Sequence, residues 1–282
     1  MNENNLKLLL DEYITDYVAK SPSNDIHVNN EPVWGRPLTA AASGNDPLFI
    51  KYKSLIGDCH WTPAEILSKT YPDYDFYPEN ISVLSWVLPQ TAETLSEQRK
   101  QHELPAKRWI HARHYGEMLN DLLRKDIETK LRKMGIRAVS PSISPLFDYR
   151  YTEPAGICSN WSERHAAFAA GLGTFSLSDG FISEAGIAIR IGSVVLEAAL
   201  PVSKSGNRGH MDNCLFAHGK CGVCMKRCPV GAITDKGHNK EICKQFLREV
   251  TKPYGIMTTG IDTNPCGLCQ AGVPCEKSIP VK

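Results

Sequence analysis

The chain has 282 residues, with 32 Lys and Arg against 31 Asp and Glu and a formal net charge of +1. That length allows one large domain with its own core and a smaller one beside it. The balanced charge leaves no global field to draw in nucleic acid or an acidic membrane surface.

The first twenty residues lack the cationic start and unbroken apolar stretch of a signal peptide. Leu6, Leu9, Leu10, Tyr13, Ile14, Tyr17 and Val18 instead mark one face of an amphipathic helix. Residues 20–60 are rich in Pro, Gly, Ser and Asn and read as loops with short elements. Ile81–Leu88 leans to a strand that Pro89 ends. Tyr115, Met118, Leu119, Leu122, Leu123, Ile127, Leu131 and Met134 keep helical spacing, and Gly135 is placed to end that helix. Ile136–Val139 then predicts a short strand, closed by Pro141. Trp161–Ala170 predicts a second helix stopped by Gly171, and Asp179-Gly180 is a turn signal.

Ile187, Ile189 and Ile191 alternate on odd numbers, whereas Val194, Leu196, Ala198 and Leu200 alternate on even ones. That pattern predicts either a strand pair or one long strand with a bulge near Gly192-Ser193. The same region, Ile187 to Val202, is the best candidate for a membrane span, but it contains Arg190 and Glu197. The expectation is therefore a cytoplasmic protein with no membrane contact. Its thiols should then be reduced, which favours metal ligation over disulfides. The polar stretch Ser203–Asp212 divides the chain into a mixed α/β domain, 1–205, and a cysteine-rich module, 206–282.

Eight of the ten cysteines lie in that module: Cys214, Cys221, Cys224, Cys228, Cys243, Cys266, Cys269 and Cys275. Two [4Fe–4S] clusters need eight thiolates, and the C-P pair at Cys228-Pro229 belongs to the ferredoxin run C-x2-C-x2-C-x3-C-P, whose fourth cysteine serves the other cluster. Here Cys214 sits six residues before Cys221, so Leu215–Lys220 must loop out for it to act as the first ligand. By the crossed ferredoxin logic, Cys214, Cys221, Cys224 and Cys275 hold one cluster, and Cys228, Cys243, Cys266 and Cys269 hold the other. The alternative is structural zinc, with the Cys221/Cys224 and Cys266/Cys269 knuckles making one four-thiolate site. Cys59 and Cys158 lie outside the module and fit ordinary buried thiols.

Residues 159–183, SNWSERHAAFAAGLGTFSLSDGFIS, followed by Gly192-Ser193 and then by the cysteine pattern, resemble the epoxyqueuosine reductase family. That family and the related reductive dehalogenases pair a cobalamin-binding domain with a two-cluster module. The resemblance implies an α+β fold: a nitroreductase-like domain followed by a small bacterial-ferredoxin-like part. It also implies a bound cobalamin or other cobamide near one cluster, and a low-potential electron donor of ferredoxin or flavodoxin type. Arg164, Gly171, Gly173, Ser178, Asp179, Gly192 and Ser193 become candidates for holding the cofactor, and Glu163, His165 and Tyr115 for catalysis.

Each candidate has a plainer explanation. Gly171 can simply cap the preceding helix. Glu163 suits a helix start, and Asp179-Gly180 suits a tight turn. His165 can donate a proton near neutral pH, ligate cobalt, or only form a structural hydrogen bond. Arg113 and Tyr115, with His111 and His114, make the densest polar cluster before the module, and could line a substrate pocket or an exposed helix start.

Two departures matter. Epoxyqueuosine reductases carry an aspartate, their proposed proton donor, six residues before the glutamate matching Glu163, where this chain has Ile157. They carry a G-K pair where it has Ser176-Leu177. The expected substrate is thus a small molecule other than epoxyqueuosine in tRNA. Lys226, Arg227 and Lys236 fit charge compensation for thiolate-bound clusters, and no aromatic-interleaved RNA surface is present, so nucleic acid is not an expected partner. A second expectation is an electron-transfer or reductive-activating protein serving a corrinoid partner protein, and a third places flavin in the first domain.

Overall fold

The computed structural model describes residues 2–203 and 209–281. The expected boundary at residue 205 lies outside them. In chain order the helices and strands begin with α1 (Glu3–Lys20), β1 (Leu38–Ser43), α2 (Pro47–Ile56), α3 (Pro63–Thr70), β2 (Ser82–Pro89), α4 (Ala92–Arg99) and α5 (Lys107–Lys133). They continue with β3 (Ala138–Val139), β4 (Tyr149–Thr152), β5 (Gly156–Ser159), α6 (Glu163–Ala169), β6 (Gly173–Phe175), β7 (Phe181–Ser183) and β8 (Ile189–Leu196). The cysteine-rich part adds α7 (Val223–Arg227), β9 (Ile233–Thr234), β10 (Gly237–His238), α8 (Lys240–Phe246) and α9 (Lys252–Thr259).

A four-stranded antiparallel sheet in the order β1-β2-β8-β3 forms the centre. Its two faces are covered by different helices. Leu6, Leu10, Ile14 and Val18 of α1 and Leu119, Leu123, Ile127 and Leu131 of α5 meet Leu84, Trp86, Val194 and Leu196 on one face. Phe49 and Tyr52 of α2, Ile66 and Leu67 of α3, and Ala166 and Ala169 of α6 meet Val83 and Val195 on the other. The architecture is therefore mixed α+β in three layers, with apolar burial on both sides of the sheet as the main source of its stability.

Burial of both faces corrects the bulge expected near Gly192-Ser193. Strand β8 pairs with β2 without interruption, from Ser82 opposite Leu196 to Pro89 opposite Ile189. Side chains of one parity face α5 and those of the other face α6. Since both sets are apolar, the sequence changes phase while the backbone does not. Ile187, Ala198 and Leu200 lie beyond the strand ends.

Helix α5 starts eight residues earlier than the periodicity from Tyr115 predicted, and Met118, Leu122 and Met134 from that pattern are exposed. The buried set keeps a strict four-residue step, Leu119, Leu123, Ile127 and Leu131. Residues 20–60 hold more regular structure than their composition suggests, in β1 and α2. Helix α6 is shorter than expected because Ser162 is its N-cap and Trp161 precedes it. Trp161 goes into the core and donates its ring N–H to Ser193 Oγ at 3.0 Å.

The cysteine-rich part has little core separate from the rest. Leu177, Ile182 and Ile187 share one apolar cluster with Cys214, Ile233 and Val273. The Ile187 N–H donates to the Cys275 carbonyl at 2.8 Å, and the Ala188 N–H to that of Glu276 at 3.2 Å. Gly186, at φ +82°, permits this docking, because a Cβ there would strike the backbone of Glu276 and Lys277.

Candidate active site

Helix α6, the β6–β7 turn and the loops around α8 and α9 converge on a cleft of about 960 Å³. This is at the upper end of the usual size for small-molecule and cofactor sites. Arg164, His165, Ser178 and Asp179 line it, as do Cys243, Cys266 and Cys269. Arg113 of α5 lines it too, whereas Tyr115 stacks with His27 at 4.0 Å between ring centroids and packs against the α1–α5 core.

The cleft wall near the turn is closely bonded. Asp179 adopts φ +57° at the tip of a loop closed by bonds between Ser176 and Gly180. Arg164 donates to the Asp179 carbonyl. The Asp179 carboxylate lies 3.1 Å from His238 Nδ1. Burial opposes charge on Asp179, but the bond to His238 and the nearby Arg164 outweigh it and hold its pKa below the usual carboxylate range. His238 is pushed up to about 9, chiefly by Asp179 and then by Cys243. Lys240, first residue of α8, donates to the carbonyl of Ala155 at 2.8 Å and of Ile157 at 3.3 Å. It thereby fixes the β4–β5 hairpin at the cleft mouth.

His165 Nδ1 is 2.8 Å from Ser162 Oγ. Burial, then His60, Arg164 and Lys240, pushes its pKa down to about 3, so the ring is neutral at pH 7. In that neutral form the imidazole offers one N–H donor and one acceptor nitrogen to the cleft. Behind it, His60 is 1% exposed, and neither of its ring nitrogens has a hydrogen-bond partner among the described residues.

The remaining candidates face the interior. Glu163 is buried beside Arg124, with Oε1 at 3.3 Å from Arg124 Nη2 and accepting from Ser142 Oγ at 2.6 Å. Burial raises its pKa. Gly171, at φ +79°, ends α6, and Gly173 lets β6 approach Ile182 where any Cβ would collide with that residue's carbonyl. Gly192 lies against the Trp86 ring, and Ser193 holds Trp161. All five support the scaffold behind the cleft and do not line it.

The eight cysteines of the module are free thiols that fall into two neighbourhoods. Burial, followed by the thiols of Cys214 and Cys221, raises Cys224 to about 11. Burial, then Cys214, Cys224 and Cys221, raises Cys275 to about 12. These same four line a small, mostly apolar cavity with Phe216, Ile187 and Val273. Cys266, at about 11, is raised by burial and by Cys243 and Cys228. Cys269 is raised further, by burial and then by Cys266, Cys243, Cys224 and Cys228. The insertion after Cys214 forms a single turn, Leu215–His218, closed by Gly219 at φ +71°. The two C-x2-C knuckles fall in different neighbourhoods, and no three His, Cys, Asp or Glu side chains among the described residues converge on a single metal-ion position.

Several cleft residues escaped the sequence reading. His238, Lys240 and Arg190 lie far apart in the chain in no recognisable motif, and only the fold brings them together. Cys59 and Cys158 are half-buried rather than fully enclosed. The Cys59 pKa is raised by burial and then by Cys158, which places the two thiols near each other.

No protein-family model matches the chain, and no curated protein matches its sequence. Its fold matches solved structures. Epoxyqueuosine reductase from Bacillus subtilis aligns with TM-score 0.50 and 16% identity over 99% of this chain and 68% of that one. Selenomethionine-labelled epoxyqueuosine reductase aligns with TM-score 0.51 and 16% identity over 100% and 68%. A reductive dehalogenase described in terms of B12-dependent dehalogenation gives TM-score 0.49 and 16% identity over 74% and 28%. The chain thus has the fold of the epoxyqueuosine reductases at low identity, along nearly its whole length and about two thirds of theirs.

Proposed function

We propose that the chain is an iron–sulfur oxidoreductase with two [4Fe–4S] sites, a cobamide-sized cleft and a small-molecule substrate. The observation that carries this reading is the shared wall: Cys243, Cys266 and Cys269 line the same cleft as Arg164, His165, Ser178 and Asp179. Cys214, Cys221, Cys224 and Cys275 form the outer site, and Cys228, Cys243, Cys266 and Cys269 the inner one. The thiol neighbourhoods support this crossed assignment over a zinc site made of the two knuckles.

When bound, the clusters supply one-electron transfer at potentials that reach about −700 mV, and a cobamide supplies a low-potential reductant at the substrate. The chain's own residues position and shield these groups. Arg164 fixes the Asp179 turn, Asp179 holds a proton on His238 Nδ1, and the β4–β5 hairpin covers the cleft mouth. Ile157 on that hairpin stands where the resembled family has its acid, which supports a substrate other than epoxyqueuosine. A ferredoxin- or flavodoxin-type donor would feed the outer site.

Anaerobic purification tests the reading. The expected protein absorbs near 400 nm and carries about eight irons per chain. Colourless, zinc-containing protein would overturn the cluster assignment. Added cobalamin should be retained with a shifted spectrum, and failure to retain it removes the cofactor assignment. A yellow chromophore released on denaturation would replace it with flavin. Tyr149 and Tyr151, 72% and 73% exposed on the hairpin, favour one second reading, in which this mouth docks a corrinoid partner protein. Substrate-independent reduction of such a partner, without bound corrinoid in the chain itself, would select it.

A further inference from the structure

One wall of the cleft is formed by two neighbouring arginines. Arg113 on α5 and Arg190 on β8 both line the cleft, and both reach the same acceptor, Glu117 Oε2, at 2.9 Å. Glu117 Oε1 is taken by Arg124 at 3.1 Å. Arg124 is answered again by Asp121 at 2.6 Å and Glu163 at 3.3 Å. Two guanidinium groups on the cleft wall therefore share a single carboxylate.

Most of their donors have no partner among the described residues. Arg113 makes one side-chain hydrogen bond, from Nη1 to Glu117, out of the five N–H groups a guanidinium offers. Arg190 Nε is close to Glu117 but is not aligned with it as a hydrogen bond. Burial, then Arg113, lowers the Arg190 pKa to about 10, as expected for crowded like charges. Beside them, Gln90 lines the cleft with a buried Oε1 that has no partner among the described residues. Its backbone N–H donates to the Ala188 carbonyl at 3.0 Å, which sets it next to β8. Trp34, Trp109 and Ile189 supply apolar surface around this polar group.

We propose that the Arg113–Arg190 wall binds the carboxylate of a small organic acid, and that such acids are the substrate class of the cleft. The inference rests on the cleft being the reaction site, as above, but carboxylate binding itself needs no corrinoid. With Arg124, Asp121 and Glu163 the whole cluster has three cations against three carboxylates, so the guanidinium donors of Arg113 and Arg190 that face the cleft, and not a charge surplus, favour a carboxylate. Planar carboxylate oxygens also match the fork of a guanidinium. The tryptophans and Ile189 leave room for a hydrocarbon remainder.

Calorimetric titration of anaerobically purified, iron-loaded, corrinoid-free protein tests this with phenylacetate, 2-phenylethanol and inorganic phosphate as probes. Phenylacetate is expected to bind saturably at about one per chain, and the neutral alcohol at least about tenfold more weakly. R113Q should weaken phenylacetate by about tenfold, and R113Q/R190Q should abolish its binding. Iron content and thermal midpoint report whether each variant is folded. R113Q serves alone where R190Q disrupts the sheet, since the Arg113 side chain is 34% exposed and is not part of a strand. Phenylacetate binding no tighter than the alcohol, or unchanged in folded R113Q, overturns the proposal, and so does displacement of phenylacetate by phosphate. Arginine-dependent phenylacetate binding in protein that never retains corrinoid supports this inference while removing the cofactor assignment on which the reaction was built.

Discussion

Cys221 and Cys275 are 54 positions apart in the chain, yet their thiols act on one another, whereas Cys221 and Cys266 fall in different neighbourhoods. Iron content tests that pairing. C221S/C275S should keep about four irons, having lost one site, and C221S/C269S should fall toward none, having damaged both. Equal losses in the two double variants would defeat the crossed assignment. His60 makes a different prediction. Its folded pKa of about 4 lies below the ordinary histidine value of 6.5, chiefly through burial and then through Lys53. Between those values the unfolded chain takes up a proton that the folded chain refuses. Stability from this group is whole above about pH 6.5 and declines as pH falls toward 4. From pH 6.5 to 5 the loss is about 1.5 kcal/mol. Denaturant midpoints should fall over that range, and fall less in H60F, where the remaining slope belongs to His165. Nothing in the sequence distinguishes His60, because its burial depends on Trp161 and Tyr52 arriving from elsewhere in the chain.

At the scale of elements, strand β8 shows what periodicity can and cannot deliver. Apolar residues of both parities identified a strand, but a strand buried on both faces has no polar parity to mark its register. Partner and continuity had to come from β2. Gly192 illustrates the same limit: the family resemblance made it and Ser193 candidates for holding the cofactor, yet its space is taken by the Trp86 ring. G192A should therefore destabilise the protein by about 1–3 kcal/mol through overpacking. Its effect should show in thermal melts and not in carboxylate or corrinoid affinity of the folded fraction. The cysteine spacings were more legible than the cleft, because ligation fixes residue type and interval while a cleft wall only needs side chains that meet. Of the candidates outside the cysteines, Arg164, His165, Ser178 and Asp179 reach the cleft from the start of α6 and the β6–β7 turn, and Arg113 reaches it from α5.

Across the whole molecule, the cysteine-rich part is held to the sheet by a small set of contacts. Arg99 of α4 pairs with Glu276, which is 5% exposed and also accepts from the Gly272 N–H at 2.8 Å. Gln98 donates to the Cys266 carbonyl at 2.7 Å, and Arg227 donates to the Gln98 carbonyl at 3.3 Å. E276A frees Arg99, which is partly exposed and can hydrate, so the cost should stay near about 1–2 kcal/mol. Since the two parts share an apolar cluster, differential scanning should show one transition moving downward, with iron lost at the same temperature. Two separate transitions would show that the parts unfold independently.

On the crossed assignment proposed above, the two thiol sets would also become complete in a fixed order. As a growing chain emerges from its amino end, the inner set of Cys228, Cys243, Cys266 and Cys269 is complete once residue 269 is free. The outer set still has only three thiols and waits for Cys275, whose carbonyl must then be caught by Ile187. A nascent chain halted at residue 274 would hold one finished site beside one with an open coordination position. Loading of the outer site is thus tied to release of the tail and its docking on the end of the sheet, so a finished outer site certifies that the chain has already closed.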